Sequence, residues 1–481
     1  LGDEKVTIRI TLDASLKLAG LPTDLRDTLI EDLSFPNPKW LENNRMGRWN
    51  GGVPKELRFY DKAGKDGLWI PRGYMRRLLV TLRREGLDYD LNDKRRRLNP
   101  VELPFNGELR DFQKTAVAKM LRREFGTLCA PTGSGKTVMA LYIASQRRQP
   151  TLVVVHTKEL AFQWIERIHT YLGIEEGAVG LIGAGRKSIG DGISLALVQS
   201  LYKCADEVAP RIGHLIVDEC HRAPSRTFTE AVRAFDCRYM LGLSATPWRR
   251  DRLSKLIFWH LGDVHHQVAS EELVVKGHIL TARVIWRPTE FEPYFDPVNE
   301  YTKMLAELTN DDLRNRQIAA DVAGVVQSGV GGICLLLSDR KKHCDVLKGL
   351  LKYRHGIDAA LLTGDLTTEQ RKGVLERLKA GEERVVVATG QLIGEGFDCP
   401  DLATLFLATP IRFSGRVLQY LGRILRPAKG KKTATVYDYV DVKVPALVKG
   451  AEARQRVYPN AAPVAGGGAG REETSAGVVS K

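Results

Sequence analysis

Residues 126–146 read GTLCAPTGSGKTVMALYIASQ: an apolar run, a glycine-rich turn, then apolar residues at helical spacing. That order predicts strand, loop and helix. Gly133 and Gly135 free the backbone to curl, so that its N–H groups converge on phosphate oxygens. The start of the following helix adds a dipole that favours an anion. In such a loop Lys136 reaches the outer phosphates of a nucleotide, and the Thr137 hydroxyl ligates Mg²⁺.

Outward from this loop the pattern repeats. GTLCA, TLVVVH, ISLALV, HLIVDE and YMLGLSA are short apolar runs separated by helical stretches between about 106 and 284. GGICLLLS, DAALLTG, RVVVATG, LATLFLA and ATVYDYV form a second set between 329 and 458. Each set predicts a parallel sheet with crossover helices. Between them, 285–328 contains no comparable run and is read as a helical insertion. Residues 459–481 are rich in Ala, Gly and Ser and are expected to be disordered. In the first set, LIVDECH at 215–221 is an apolar strand ending in carboxylates. Asp218 is placed to hold Mg²⁺ and Glu219 to polarise an attacking water.

The 481 residues carry a net charge of +14, which favours a polyanionic partner. The seven cysteines form no C-x-x-C pair, so neither a zinc site nor a disulfide framework is expected. No run of about 18 apolar residues suggests a membrane span, and LGDEKVTIRI lacks the layout of a signal peptide, so a cytoplasmic protein is expected.

Residues 1–105 form a separate small α+β block. It opens with the alternating strand VTIRITL, continues with a helix in LPTDLRDTLIEDLSF, and closes with a basic helix and a linker-like LNDKRRRLNP. Between 35 and 97 there are 16 Lys or Arg against 8 Asp or Glu, interleaved with Phe35, Trp40, Trp49, Phe59, Tyr60, Trp69 and Tyr74. Basic plus aromatic is the composition of a nucleic-acid surface. Arg45, Arg48, Lys55, Arg72, Arg76 and Arg77 are the candidate contacts.

The remaining segments follow a recognisable order. LRDFQ (109–113) precedes the phosphate loop; VVVHTKELAFQW (153–164), DECH (218–221), SATP (244–247), VVVATGQLIGEGFDCPDL (385–402) and QYLGRILRP (419–427) follow it. This series resembles the motifs of superfamily 2 helicases of the DExH kind, across residues 106–445. Within them it is most similar to the XPB group and the phage UvsW-type helicases, because of SATPWRRD after the third motif. Where XPB-like enzymes carry Arg-Glu-Asp, this chain has Arg249, Arg250 and Asp251, a base replacing the middle acid. The segment 285–328 resembles the thumb of that group.

The resemblance implies two tandem RecA-like lobes and ATP with Mg²⁺ as cofactors. It implies that Gln113 reads the adenine edge, since an amide both donates and accepts. Phe105 is either a stacking partner for the base or core. Arg110, Pro131, Thr132, Ser134, Glu395 and Asp398 complete the nucleotide-contacting set. Gln419, Arg423 and Arg426, spaced i, i+4 and i+7, share a helical face that the family turns toward the γ-phosphate. Arginines there stabilise the charge of the transferring phosphoryl group. Ser244 and Thr246 couple phosphate to strand. The strand track is assigned to Thr157, Lys158, Arg186, Gln199, Ser200, Arg249 and Arg250 in the first lobe. In the second it is assigned to Ser338, Arg340, Thr363 and Thr389. Such groups suit phosphates and carry no base identity.

The activity implied is that of an ATP-dependent DNA helicase or translocase, a single-chain motor working on duplex or branched DNA in repair, recombination or phage replication. An ATP-gated clamp, the motor of a restriction nuclease, and an RNA helicase are the alternatives. The sequence offers no convincing PD…(D/E)-x-K nuclease cluster.

Overall fold

The computed structural model describes residues 7–222, 226–245, 254–329, 331–390, 399, 401–411, 414–428, 431, 433–456 and 458. Thr246, Arg249, Arg250, Glu395, Asp398, the side chain of Gln419 and the 459–481 tail lie outside what is described. Contacts divide the chain into two units, Leu1–Ser270 and Glu271–Lys481.

Among the described residues the first unit holds a five-stranded and an eight-stranded sheet, and a two-stranded one in which Ser34–Pro36 pairs with Glu56–Arg58. The N-terminal sheet has the order Asp61–Ala63, Gly67–Pro71, Ser15–Ala19, Ile8–Leu12, Tyr89–Asp93. In IRITL, Ile8, Ile10 and Leu12 are buried and Arg9 is exposed, the period-2 pattern of a sheet with one covered face. Leu25 and Leu29 of helix Thr23–Asp32 and Leu78 and Leu82 of helix Met75–Arg84 share that core.

The second sheet has eight strands: Arg186–Lys187, Gly180–Gly183, Ile193–Leu197, Thr151–Val155, His214–Val217, Tyr239–Ser244, Phe125–Cys129, Val264–Gln267. All pairings are parallel except that of the first strand. TLVVV at 151–155 is buried at every position, as expected of a strand covered on both faces. The strand order places the ends of His214–Val217, Tyr239–Ser244 and Phe125–Cys129 side by side, along the edge where ligands bind in open α/β sheets.

The second unit is built on six parallel strands: Ala282–Thr289, Ala434–Asp441, Leu402–Leu407, Ile333–Ser338, Val385–Thr389, Ala360–Leu362. This corrects the reading of 285–328 as an insertion. Ala282–Thr289 pairs with Ala434–Asp441 along its whole length. Its ARVIWRPT is mixed in polarity because it is an edge strand, and Pro288 is tolerated there for the same reason. Helix Asp312–Gln327 contributes Ile318, Ala319 and Val322 to the same core as Cys334, Leu336 and Phe406. The segment belongs to the second lobe, and the boundary falls at 270/271 rather than 284/285.

LNDKRRRLNP also differs from its reading as a linker. Asp93 ends the strand Tyr89–Asp93, and Arg96 backbone pairs with Asp236 and Arg238. Arg95 is almost fully buried against Asp93 and Glu124, and Arg96 meets Asp236 at 2.8 Å. Trp259 and Leu256 of helix Ser254–Leu261 enter the N-terminal core. The N-terminal block and the eight-stranded sheet are therefore one body.

Candidate nucleotide site and nucleic-acid surface

The loop between Cys129 and helix Lys136–Arg147 is shaped by left-handed glycines, Gly133 at φ 86° and Gly135 at φ 82°. A side chain at 135 is excluded twice: by its φ, and by Gln113 Nε2, which a Cβ would approach to 2.4 Å. Lys136 Nζ donates to the Ala130 and Pro131 carbonyls at 3.1 and 3.4 Å. The hydroxyls of Thr132 and Ser134 are buried without a hydrogen-bond partner among the described residues. Buried unpaired donors around a loop of convergent N–H groups fit a phosphate ligand.

Gln113 is buried, with its two ends occupied. Its Oε1 accepts from Arg110 N at 2.9 Å, and its Nε2 donates to the Ser134 carbonyl at 2.8 Å. It ties the start of helix Asp111–Leu121 to the phosphate loop, and a single amide hydrogen is left for a base edge. Phe105 is half-buried between Tyr142 (5.2 Å, edge-on) and Tyr171 (6.0 Å, stacked).

Asp218 follows strand His214–Val217, two strands from the loop, or about 10 Å at the usual strand spacing. Its Oδ2 accepts from Trp164 Nε1 at 2.8 Å and its Oδ1 from Glu219 N at 2.8 Å. Burial first, and the neighbouring Glu219 charge second, push the Asp218 carboxyl up to about 6, while the Trp164 bond and Lys136 pull it down. Trp164 was missed as a functional residue. It lies within the quoted 153–164 stretch, but the sequence does not tell a core tryptophan from one whose N–H has a carboxylate to meet.

Glu219 sits at φ 48°, a left-handed conformation that a residue with a Cβ adopts only under constraint. Its Oε2 is 3.2 Å from His221 Nδ1, and that nitrogen is 3.2 Å from Ser244 Oγ. Ser244 is fully buried at the end of Tyr239–Ser244, the strand between the loop and the carboxylates. His221 Nδ1 thus lies within 3.2 Å of both the candidate water-activating acid and the predicted coupling serine.

In the second unit, Arg423 lies in the last turn of helix Ser414–Ile424, and Arg426 follows just beyond it. Tyr420 of this helix donates to the Gly390 carbonyl at 2.9 Å, fixing the helix to the end of strand Val385–Thr389. A Cβ at 390 would meet that hydroxyl at 2.4 Å. Lys431 Nζ donates to the Arg426 carbonyl at 3.0 Å.

Three candidate nucleic-acid contacts are corrected. Arg72 is buried: its Nη1 donates to the Cys237 carbonyl at 2.8 Å and to that of Phe235 at 3.4 Å. It joins the N-terminal block to the eight-stranded sheet, and its neighbour must be glycine, because a Cβ at Gly73 would lie 2.1 Å from the Phe258 carbonyl oxygen. Ser338 and Thr363 are buried as well. Ser338 Oγ accepts from Arg340 N at 3.1 Å and sits 2.9 Å from His343 Nδ1, so it stabilises the turn into the next helix. Arg45, Arg48, Lys55, Arg76, Arg77, Lys158, Arg186 and Gln199 are exposed; Thr157, Ser200, Arg340 and Thr389 are half-buried. Thr157 Oγ1 caps helix Lys158–Leu172 through Leu160 N. Among the described residues, no helix is long and apolar enough to cross a membrane, and no His/Cys/Asp/Glu cluster could hold a metal.

Two family models match. "Type III restriction enzyme, res subunit" covers residues 106–249, and "Helicase conserved C-terminal domain" covers 318–428, beginning inside helix Asp312–Gln327. The chain is 30% identical over 366 residues to "DNA 3'-5' translocase XPB2" of Sulfurisphaera tokodaii, covering 69% of this chain and 81% of that protein. It is 28% identical over 440 residues (88% and 78%) to L396 of Acanthamoeba polyphaga mimivirus, named provisionally as an ATP-dependent RNA helicase. It is 23% identical over 346 residues (69% and 68%) to "ATP-dependent DNA helicase uvsW" of Enterobacteria phage T4.

Proposed function

The chain belongs to the XPB-like and UvsW-like helicases of superfamily 2, and on that premise we propose that it is a DNA-stimulated ATPase that moves along duplex or branched DNA. It acts as a single chain in the cytoplasm. The observation that carries this reading is the emergence of the phosphate loop, the Asp218–Glu219 pair and Ser244 from three adjacent strand ends.

Each residue has a task set by its chemistry. Loop N–H groups and Lys136 neutralise the phosphates. Thr137 and Asp218 would hold Mg²⁺, which supplies further positive charge beside the transferring phosphoryl group. Glu219 orients the water and takes its proton. Arg423 and Arg426, carried by the second lobe, stabilise the charge that develops on the phosphoryl oxygens; such arginines are worth about 10³–10⁵ in rate. The Glu219–His221–Ser244 contacts convey the state of the phosphate to the strand-contacting surface. Lys158, Arg186 and Gln199 grip phosphates without reading bases.

DNA is favoured over RNA by the names of the translocase and UvsW relatives; the mimivirus relative supports RNA as the second reading. The test is ATP turnover with no polynucleotide, single-stranded, duplex, forked and four-way DNA, and single- and double-stranded RNA. DNA should stimulate turnover at least tenfold and RNA should not, with Lys136→Ala and Glu219→Gln inactive throughout. Equal turnover with and without polynucleotide contradicts the proposal, and stimulation by RNA alone replaces it with the second reading.

A further inference from the structure

Residues 36–55 form a protrusion whose loop is closed by amide side chains. Asn37 caps helix Pro38–Arg45, accepting from Lys39 N at 3.0 Å, while its Nδ2 donates to the Pro54 carbonyl at 2.9 Å. Asn43 Nδ2 donates to Asn50 Oδ1 at 3.0 Å, and Asn50 Nδ2 to the Trp40 carbonyl at 3.3 Å. Gly47 and Gly52 take left-handed turns at φ 62° and 74°. The result is a defined loop, and Trp49 at its tip is 87% exposed.

One part of the Trp49 ring is backed by backbone. A Cβ built on Gly51 would lie 1.8 Å from ring carbons Cη2 and Cζ2, so the indole in this position lies close against the Gly51 backbone. Leaving so large an apolar surface in water is unfavourable, and the fold does not relieve it. Arg45 and Arg48 beside it are exposed. Lys55 lies over Trp40 at 5.6 Å. From 36 to 55 the sequence holds Lys39, Arg45, Arg48 and Lys55 against Glu42 alone.

We propose that Trp49, backed by Gly51 and flanked by Arg45 and Arg48, is a stacking platform for one unpaired nucleobase, so that the motor recognises the point where a duplex opens. This rests on the reading of the chain as a DNA motor. An indole face stacks any base, and the two guanidinium groups meet the adjoining phosphates, so the site reads strand opening rather than sequence. In an intact duplex the bases are stacked on each other and offer no free face. The platform is fixed to the body carrying the phosphate loop: Phe35 and Phe59, at its stem, stack at 5.6 Å and pack on Trp259 at 6.0 and 5.5 Å.

The test is the affinity of the full chain for a fork with unpaired arms and for a fully paired duplex of equal length, by fluorescence anisotropy. Trp49→Ala should lower fork affinity about tenfold and reduce the fork-to-duplex preference by the same factor. Trp49→Phe should restore the preference to within about threefold. An unchanged preference in Trp49→Ala overturns the platform, as does a Phe variant that loses as much as Ala. If wild-type ATPase ignores both DNAs, the motor reading itself fails; if both stimulate it and the preference is indifferent to Trp49, only the platform fails.

Discussion

Replacing Trp164 by Phe removes the N–H that Asp218 Oδ2 accepts at 2.8 Å and keeps an aromatic ring in the core. Trp164 is 1% exposed and Asp218 6%, so water does not take over the lost bond. A hydrogen bond to a charged group contributes about 1.5–3 kcal/mol, and 1.36 kcal/mol is one pH unit. The Asp218 carboxyl, already raised to about 6, therefore rises by about 1–2 pH units more. Proton and Mg²⁺ compete for the same oxygens. The Mg²⁺ concentration for half-maximal DNA-stimulated ATPase should thus increase about 5–50-fold at pH 6, about 2–10-fold at pH 7, and by less than about 1.5-fold at pH 8.5. The assay is a Mg²⁺ titration of ATP turnover at those three pH values. A defect of equal size at all three would mean that Trp164 acts by packing alone. No defect at pH 6 would refute the hydrogen-bond argument.

Two further outcomes follow from buried groups. Because burial raises the folded-state pKa of Asp218 above its unfolded value, stability falls as pH rises from about 4 to about 6, and the deficit is complete above that. Asp218→Asn should then raise the melting temperature of nucleotide-free protein at pH 7.5, by about 1–3 kcal/mol in stability, with a much smaller gain at pH 4.5 and with ATPase lost; thermal melts at both pH values check this. Arg72→Ala leaves the buried Cys237 and Phe235 carbonyls without that donor and should destabilise by about 1–3 kcal/mol, whereas Arg76→Ala, whose 3.4 Å pair with Asp263 is mostly exposed, should change stability by less than about 1 kcal/mol; urea unfolding with a probe in each sheet distinguishes them.

The two parallel sheets were legible because their strands are buried on both faces and read as unbroken apolar runs. TLVVV and ICLLLS are examples. Ala282–Thr289 was not legible, since an edge strand keeps polar residues and even Pro288 without losing its pairing. The phosphate loop and the carboxylates were legible because their chemistry fixes residue types at fixed spacing. The charge excess of residues 35–97 misled in part. Arg72, Arg95 and Arg96 point into the joint with the eight-stranded sheet, where they meet carbonyls and carboxylates. Composition counts such charges but carries no direction. Trp164 makes the same point for a single residue: which polar atom a buried side chain meets depends on elements distant in the chain.

Release of a third strand from a DNA triplex is the most direct measure of whether turnover moves this protein along a duplex. With ATP and Mg²⁺ the wild-type chain should free the third strand, and neither Lys136→Ala nor a non-hydrolysable ATP analogue should support release. A chain that binds the duplex and hydrolyses ATP at a DNA-stimulated rate, yet leaves the triplex intact, would be a clamp, and the translocase account would be contradicted.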